Sequence, residues 1–217
     1  MNLTEKAPKI IDTVVEEGES TAFIPYPDLG ESFENVPVYL RPDLFYYSAR
    51  MGFKLNCNKL YMHVPWIAQH MIHLNNAIMR DERNNLSEHL KYRIALAVSR
   101  TNECPYCVSH HAGTLKRRWE YEDDDLENLL HLDQPTDERE AAAMEFATQA
   151  SLDSAGVTDE LRAKLAEHFS PQEVMEIVIL VGFWKMYNLM HAAMAVPIED
   201  PMAGLEKWMD VQPKVSG

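Results

Sequence analysis

Two cysteines and a histidine at short spacing are the residues of this sequence best suited to chemistry. Cys104 and Cys107 stand three positions apart, and His111 follows four positions after Cys107. On a helix this spacing places all three side chains on one face. A thiolate in the first turn of a helix is stabilised by the helix dipole, and a neighbouring imidazole can accept its proton. The segment predicts thiol chemistry in which either cysteine could be the nucleophile and the other its disulfide partner.

Two other interpretations of the same residues stay open. The cysteines could be small buried side chains without a chemical role, or they could bind zinc together with His111. A zinc site needs a fourth ligand, and only the fold could bring one of the remaining candidates to the motif: Cys57, His63, His70 or His73. We favour the redox interpretation, which requires no bound metal or cofactor, and we expect Cys57 to be a buried, inert thiol.

The elements around the motif argue against a glutaredoxin-type dithiol, which follows a strand in a βαβ unit. Apolar residues recur before the motif at three- and four-residue intervals and predict a helix with one buried face: Leu90, Ile94, Ala97 and Val98. Asn102 and Glu103 end this helix, and Pro105 suits the first turn of the next one. The cysteines therefore lie at a junction between two helices.

Helical signals recur along the rest of the chain. Pro65 suits the first turn of a helix that runs to Arg80, and Ser87 is a suitable N-cap. The sequence SPQE at 170–173 combines a capping box with proline at the first helical position, and the apolar helix that it begins runs until Pro197. Because no alternating strand pattern of useful length occurs, we predict an all-α fold of seven or eight helices.

The domain organisation follows from the same patterns. Residues 1–36 carry charges and prolines without a sustained helical period, which predicts an extended N-terminal arm. Helical periodicity begins after this arm. We therefore predict a single all-helical domain over residues 37–217.

The composition narrows the classes of function. A formal net charge of -14 disfavours binding to nucleic acids and to anionic membranes, because both need clustered Lys and Arg. The strongest apolar run, at 174–184, contains Glu176 and is shorter than the about 20 residues that a membrane span needs. The first residues lack the pattern of a secretory signal. We expect a soluble cytoplasmic protein, in which an odd number of cysteines indicates chemistry or packing.

One segment of the sequence resembles a known family. Residues 86–111, LSEHLKYRIALAVSRTNECPYCVSHH, resemble the core of the carboxymuconolactone decarboxylase and alkylhydroperoxidase D superfamily, in its peroxidase-related branch. The family motif CxxCxxxH matches Cys104, Cys107 and His111. The stretches 138–152 and 169–197 are similar to the C-terminal helices of that branch. The resemblance covers residues 40–197 and implies an alkylhydroperoxidase D-like helical bundle.

The resemblance also implies roles for individual residues. Cys107 would attack the peroxide, Cys104 would close the disulfide, and His111 would manage the proton. The family's relay includes a glutamate on the preceding helix, and the matching position here is Tyr92. Glu88, one helical turn earlier, could replace that glutamate. Tyr92 could hold a water in the relay, although a tyrosine with its ordinary pKa of about 10 is a poor base at neutral pH.

The function that the resemblance implies is that of a thiol-dependent peroxidase. Such an enzyme reduces a hydroperoxide through the dithiol and is re-reduced by an external dithiol of the lipoyl or thioredoxin type. Family members assemble as homo-oligomers, commonly trimers or hexamers, so we expect the same here. The alternatives are a non-catalytic redox-sensing or zinc-binding oligomer that uses the same residues, and a decarboxylase-like lyase, whose chemistry does not depend on the cysteine pair.

Overall fold

The structure is a computed structural model of the 217-residue chain, and it describes residues 22–130 and 137–209. These two ranges contain nine α-helices, four short 3₁₀ helices and no strand. The α-helices are α1 (Arg41–Met51), α2 (Asn56–Tyr61), α3 (Pro65–Arg80), α4 (Glu88–Thr101), α5 (Pro105–Trp119), α6 (Asp123–Leu130), α7 (Glu138–Leu152), α8 (Asp159–His168) and α9 (Pro171–Ala193). The predicted all-α class is confirmed, with one helix more than expected, because α2 was not predicted.

The local signals for helix starts act as the sequence predicts. Ser87 Oγ accepts a hydrogen bond from the Leu90 N–H at 3.2 Å and caps α4. At the start of α9, the Ser170 N–H donates to the Glu173 carboxylate at 2.9 Å, and Ser170 Oγ accepts from the Glu173 N–H at 3.3 Å. This pair is the predicted capping box. Helix α9 ends at Ala193, a short distance before Pro197.

The described residues divide into two compact units. The first comprises residues 22–74 and Met194–Pro197, and the second comprises Asn75–Ala193 and residues 198–209. In the first unit, residues 22–36 contain no helix, and Cys57 on α2 is buried. Residues 1–21, most of the predicted N-terminal arm, lie outside the described residues. The prediction of an extended arm followed by one domain stays a prediction.

Helix α4 is the central element of the second unit. It packs against α5, α7 and α9. Ile94, Leu96 and Val98 on α4 are fully buried, and the burial of each such side chain contributes about 1.5–3 kcal/mol. The contact of α4 with α5 is the one that places the cysteine motif, since the motif begins where α4 ends.

No helix within residues 22–130 and 137–209 combines the length and the apolar composition that are needed to cross a lipid bilayer.

Candidate active site

The turn between α4 and α5 fixes the position of the first cysteine. Glu103 adopts a left-handed backbone conformation with φ of 52°, which turns the chain out of α4. This conformation costs a non-glycine residue about 1–2 kcal/mol. The Cys104 N–H donates to the Ser99 carbonyl at 3.0 Å and ties the turn back to α4. Cys104 is left with an extended backbone as the N-cap of α5.

The sulfur of Cys104 occupies the place that a hydroxyl or carboxylate oxygen takes in most N-caps. Cys104 Sγ accepts a hydrogen bond from the Cys107 N–H at 3.3 Å. The hydrogen bond from the Cys107 side chain, together with that from the Cys107 backbone and against the opposing effect of burial, holds the pKa of Cys104 below its ordinary value. The helix N-terminus therefore favours a thiolate at Cys104.

The second cysteine contacts a histidine that is distant from it in the sequence. Cys107 Sγ lies 3.1 Å from His191 Nδ1, and His191 is on the last turn of α9. One ligand atom each from Cys104, Cys107 and His191 all lie within 4.8 Å of one another. The three side chains are buried. We call these three residues the thiol cluster.

The imidazole of the thiol cluster is in the state that can accept a proton. Burial, with the charge of His110 adding to it, lowers the pKa of His191 to about 3. His191 is therefore neutral at neutral pH, and its Nδ1 can accept a hydrogen bond from the Cys107 thiol. Because the same burial makes the imidazole a weak base, it can hold the thiol proton only transiently. Cys107 and His191 form a thiol and base pair that is compatible with peroxidase-type chemistry.

His111, which the sequence predicts beside the cysteines, is placed at a different level of the same helix. Its ring lies edge-on to Trp184, with ring centroids 4.2 Å apart, and 6.0 Å from the ring of Tyr92. Its Nε2 is buried without a hydrogen-bond partner in the part of the chain that the structure describes. Within that part, the group of mutually close ligand atoms contains the two cysteines and His191 and does not include His111.

The packing of α5 against α9 explains this separation. Cys107 on α5 contacts His191, and His111, one turn later on α5, contacts Trp184, which lies two turns earlier on α9. The two helices therefore run in opposite directions, so each position on α5 meets a different level of α9. The CxxCxxxH spacing predicts only how side chains lie along α5. The contact between Cys107 and His191 depends on how α5 packs against α9.

Tyr92 and Glu88, the two candidates for the relay, have other contacts. The Tyr92 hydroxyl accepts a hydrogen bond from the Arg80 guanidinium at 3.2 Å, and the Tyr92 ring lies beside His111. Glu88 is ion-paired with Arg118. The structure thus joins Tyr92 to His111 and brings Cys104 and Cys107 together with His191. The catalytic roles assigned to Tyr92, Glu88 and His111 stay predictions.

His191 is the residue that sequence reasoning missed. A signal for it exists in the sequence, because four polar or aromatic residues of α9 recur at three- and four-residue steps on its buried side: Trp184, Tyr187, Asn188 and His191. A histidine that continues such a stripe is expected to be buried. The stripe alone does not predict that His191 contacts Cys107.

A network of three further side chains supports the thiol cluster. The Tyr106 hydroxyl donates to Glu199 Oε1 at 2.9 Å, and His110 Nε2 lies 2.7 Å from Glu199 Oε2. The Tyr106 ring is 4.4 Å from that of His110 and 5.0 Å from that of His191, between centroids. Glu199 is buried and follows α9 in the chain. The network therefore holds the Tyr106 ring against His191.

Removing the carboxylate of this network is expected to destabilise the protein. Glu199→Ala leaves the buried Tyr106 hydroxyl and the half-buried His110 ring without this acceptor, which costs about 1–3 kcal/mol. Chemical denaturation followed by circular dichroism measures the free energy of unfolding. Glu145→Ala is the matched control, because Glu145 pairs with Lys164 on the surface and such pairs contribute about 0–1 kcal/mol. Equal losses in the two variants would show that the network does not stabilise the fold.

Part of the chain is similar to a known family and to a known protein. Residues 65–149 match the model of the carboxymuconolactone decarboxylase family. The matched region runs from α3 through most of α7 and includes both cysteines of the thiol cluster. His191 lies outside it. The protein YnjA of Escherichia coli (strain K12) is 23% identical over 165 residues, which cover 76% of this chain and 90% of YnjA.

Two solved structures are similar over most of the chain. A peroxidase-related protein with an alkylhydroperoxidase AhpD core, from Ralstonia eutropha JMP134, superposes with a TM-score of 0.75 and 21% identity, covering 85% of this chain and 96% of its own. The debrominase Bmp8 superposes with a TM-score of 0.70 and 23% identity, covering 80% of this chain and 92% of its own. At these identities the likeness concerns the fold. The chain therefore has an AhpD-like fold, and its segment 65–149 is similar to the carboxymuconolactone decarboxylase family.

Proposed function

We propose that the protein is a thiol-dependent oxidoreductase that reduces hydroperoxides through a disulfide between Cys104 and Cys107. The observation that carries the proposal is the 3.1 Å contact between Cys107 Sγ and His191 Nδ1 within a buried site. The AhpD-like fold, shared with a peroxidase-related protein, is consistent with it. The hydroperoxide as substrate and the external dithiol as reductant belong to the same proposal.

In the first step, Cys107 attacks the peroxide. The thiol proton passes transiently to His191 Nδ1 while the Cys107 sulfur attacks one oxygen of the hydroperoxide. An S–O bond forms as the O–O bond breaks, so the sulfur is oxidised to a sulfenic acid and the peroxide is reduced. The leaving alkoxide takes the proton from His191 and departs as an alcohol, or as water when the substrate is hydrogen peroxide.

In the second step, Cys104 resolves the oxidised sulfur. The lowered pKa of Cys104 favours its thiolate, which attacks the Cys107 sulfur. An S–S bond forms, and the hydroxide that leaves Cys107 takes up a proton to become water. The two sulfurs lie within 4.8 Å, and they must approach to the bonded distance of about 2.0 Å. An external dithiol of the lipoyl or thioredoxin type then reduces the disulfide by thiol exchange.

Turnover with a dithiol tests this function directly. Reduced protein is mixed with hydrogen peroxide and dihydrolipoamide, and peroxide consumption is followed together with mass spectrometry of the cysteine-containing peptides. We expect many peroxide molecules to be consumed per chain and a Cys104–Cys107 disulfide to accumulate when the dithiol is left out. If both thiols stay reduced and the peroxide is not consumed, the proposal is wrong.

We further propose that the protein forms a homo-oligomer, a trimer or a hexamer, through one face of α9. The exposed apolar side chains of this helix lie on a single stripe: Met175, Val178, Ile179, Met186 and Leu189. Gly182 lies on the same stripe, and a Cβ added there would meet no atom within 4 Å. A second copy of the chain is the occupant that we expect, because an apolar stripe of this length is costly to leave in water.

A charge on this stripe is expected to dissociate the oligomer. Leu189 is 70% exposed, so Leu189→Lys leaves the fold of a single chain intact and places an unpaired charge in the contact. Sedimentation velocity should show a shift from the oligomer toward the monomer. Leu152→Lys is the control, because Leu152 is 66% exposed at the end of α7 and outside the stripe. A monomeric parent protein, or equal dissociation in both variants, would contradict the proposal.

A further inference from the structure

The thiol cluster has the ligand types of a metal site as well as those of a redox site. Two thiol sulfurs and one imidazole nitrogen lie within 4.8 Å of one another. In a tetrahedral zinc site, Zn–S bonds of about 2.3 Å and Zn–N bonds of about 2.0 Å place the ligand atoms about 3.4–3.8 Å apart. The pair formed by Cys107 Sγ and His191 Nδ1, at 3.1 Å, is already close to that spacing. Small side-chain adjustments would bring all three atoms to a common ion.

The ligands come from elements that hold them in place. Cys104 is the N-cap of α5 and Cys107 is in its first turn, so α5 fixes the two sulfurs relative to one another. The Cys107 N–H donates to Cys104 Sγ and would continue to support that sulfur as a bound thiolate. His191 is held from the side by the Tyr106 ring. Ligands oriented in this way lose little freedom when an ion binds.

Because the site is buried, a pair of thiolates there is more stable with a divalent cation bound than without one. Cys104, Cys107 and His191 are 0%, 2% and 4% exposed. Two thiolates in such surroundings carry a charge of about −2, which is costly to bury. A bound divalent cation neutralises that charge, and the imidazole binds in its neutral form. When both cysteines are deprotonated, the site is therefore electrically neutral only with the ion bound.

The ligand set also decides which ions fit. It contains sulfur and nitrogen and no carboxylate, which selects soft or borderline ions such as Zn²⁺ over Mg²⁺ and Ca²⁺. Three protein ligands leave the fourth tetrahedral position for water, as in zinc sites of the Cys₂His type. We propose that the reduced protein binds one Zn²⁺ per chain through Cys104, Cys107 and His191, and that oxidation of the two thiolates to a disulfide releases it.

The release step balances in atoms and electrons. Two zinc-bound thiolates, one hydroperoxide and two protons give one disulfide, one alcohol, one water and free Zn²⁺. The Zn–S bonds break as the S–S bond forms, and the two electrons of the thiolates reduce the O–O bond. Release by a hydroperoxide rests on the proposed function, whereas binding of the metal does not.

The binding test uses reduced, chelator-treated full-length protein without oxygen. Zn²⁺ is titrated against a chromophoric chelator, and Co²⁺ is titrated separately to record thiolate-to-cobalt charge-transfer bands. We expect one ion per chain and bands characteristic of a tetrahedral site with two thiolates. Cys104→Ser, Cys107→Ser and His191→Gln should each weaken Zn²⁺ binding by about a hundredfold or more, since even the loss of an outer-shell partner costs about 10–100-fold. Thermal unfolding shows whether each variant is folded.

Two matched variants and two oxidants make the test decisive. His111→Gln and Cys57→Ser replace a buried histidine and a buried thiol outside the cluster and should leave Zn²⁺ affinity unchanged. No binding by the parent protein, or weaker binding in His111→Gln than in His191→Gln, would overturn the proposal.

Diamide oxidises dithiols without peroxide chemistry and should release the ion. Release by diamide but not by hydrogen peroxide would support the metal site and count against the peroxidase function; retention of Zn²⁺ by the disulfide form would overturn the release step.

Discussion

Replacing Cys107 by serine is expected to reduce peroxide consumption to the uncatalysed background. A hydroxyl is a far weaker nucleophile than a thiolate, and His191 Nδ1 would face an oxygen whose pKa is too high for it to be ionised. Stopped-flow measurement of peroxide loss with dihydrolipoamide present gives the rate. Circular dichroism should show an unchanged fold, because serine and cysteine have similar volumes.

Two companion variants separate the roles of the cysteines. Cys104→Ser should still react with one peroxide per chain and retain a sulfenic acid at Cys107, which dimedone traps, but it should lose turnover with the dithiol. Cys57→Ser should behave as the parent protein. A sulfenic acid that forms at Cys104 in Cys107→Ser at the parental rate would reverse the two roles.

Replacing His191 by glutamine is expected to slow the reaction of Cys107 with peroxide by about 10²-fold or more, the contribution that a positioned proton acceptor typically makes. Glutamine preserves much of the side-chain volume but has no basic nitrogen. The rate constant is measured in a single turnover, with the protein in excess over hydrogen peroxide.

His111→Gln is the comparison that decides between two histidines. The family resemblance assigns the proton to His111, whereas the hydrogen bond in the structure assigns it to His191. His111 is equally buried, and its pKa is also about 3 because of burial, so the two substitutions have similar costs of packing. A smaller loss in His111→Gln than in His191→Gln supports the geometric assignment. The reverse order would show that His111 handles the proton.

The parts of the fold that were predictable from the sequence are those with local causes. Ser87, Pro105 and the SPQE sequence each determine a helix start through atoms within a few residues, and the structure confirms all three. Helix α2 was missed because its six residues, NCNKLY, are too few to show a period and its N-cap makes no side-chain hydrogen bond. Its formation depends on packing, which a sequence pattern does not report.

The candidate site was predictable only where its residues are neighbours in the chain. Cys104 and Cys107 could be paired because three positions on one helix start are close in any fold. His191 is separated from Cys107 by 84 positions, and Glu199 from Tyr106 by 93. Contacts of this kind depend on how α9 and the segment after it pack against α5, so they required the structure.

The order of residues along the chain has a consequence for the protein during its synthesis. A ribosome makes Cys104 and Cys107 well before it makes His191, since α9 is the last of the α-helices in the described ranges. Until that helix docks, the nascent chain carries two ordinary thiols without their base, and their reactivity is that of any cysteine in an unfolded polypeptide. Under the proposed function, the dithiol therefore becomes reactive only when the chain is complete, and we expect an incomplete translation product that lacks α9 to react slowly with peroxide.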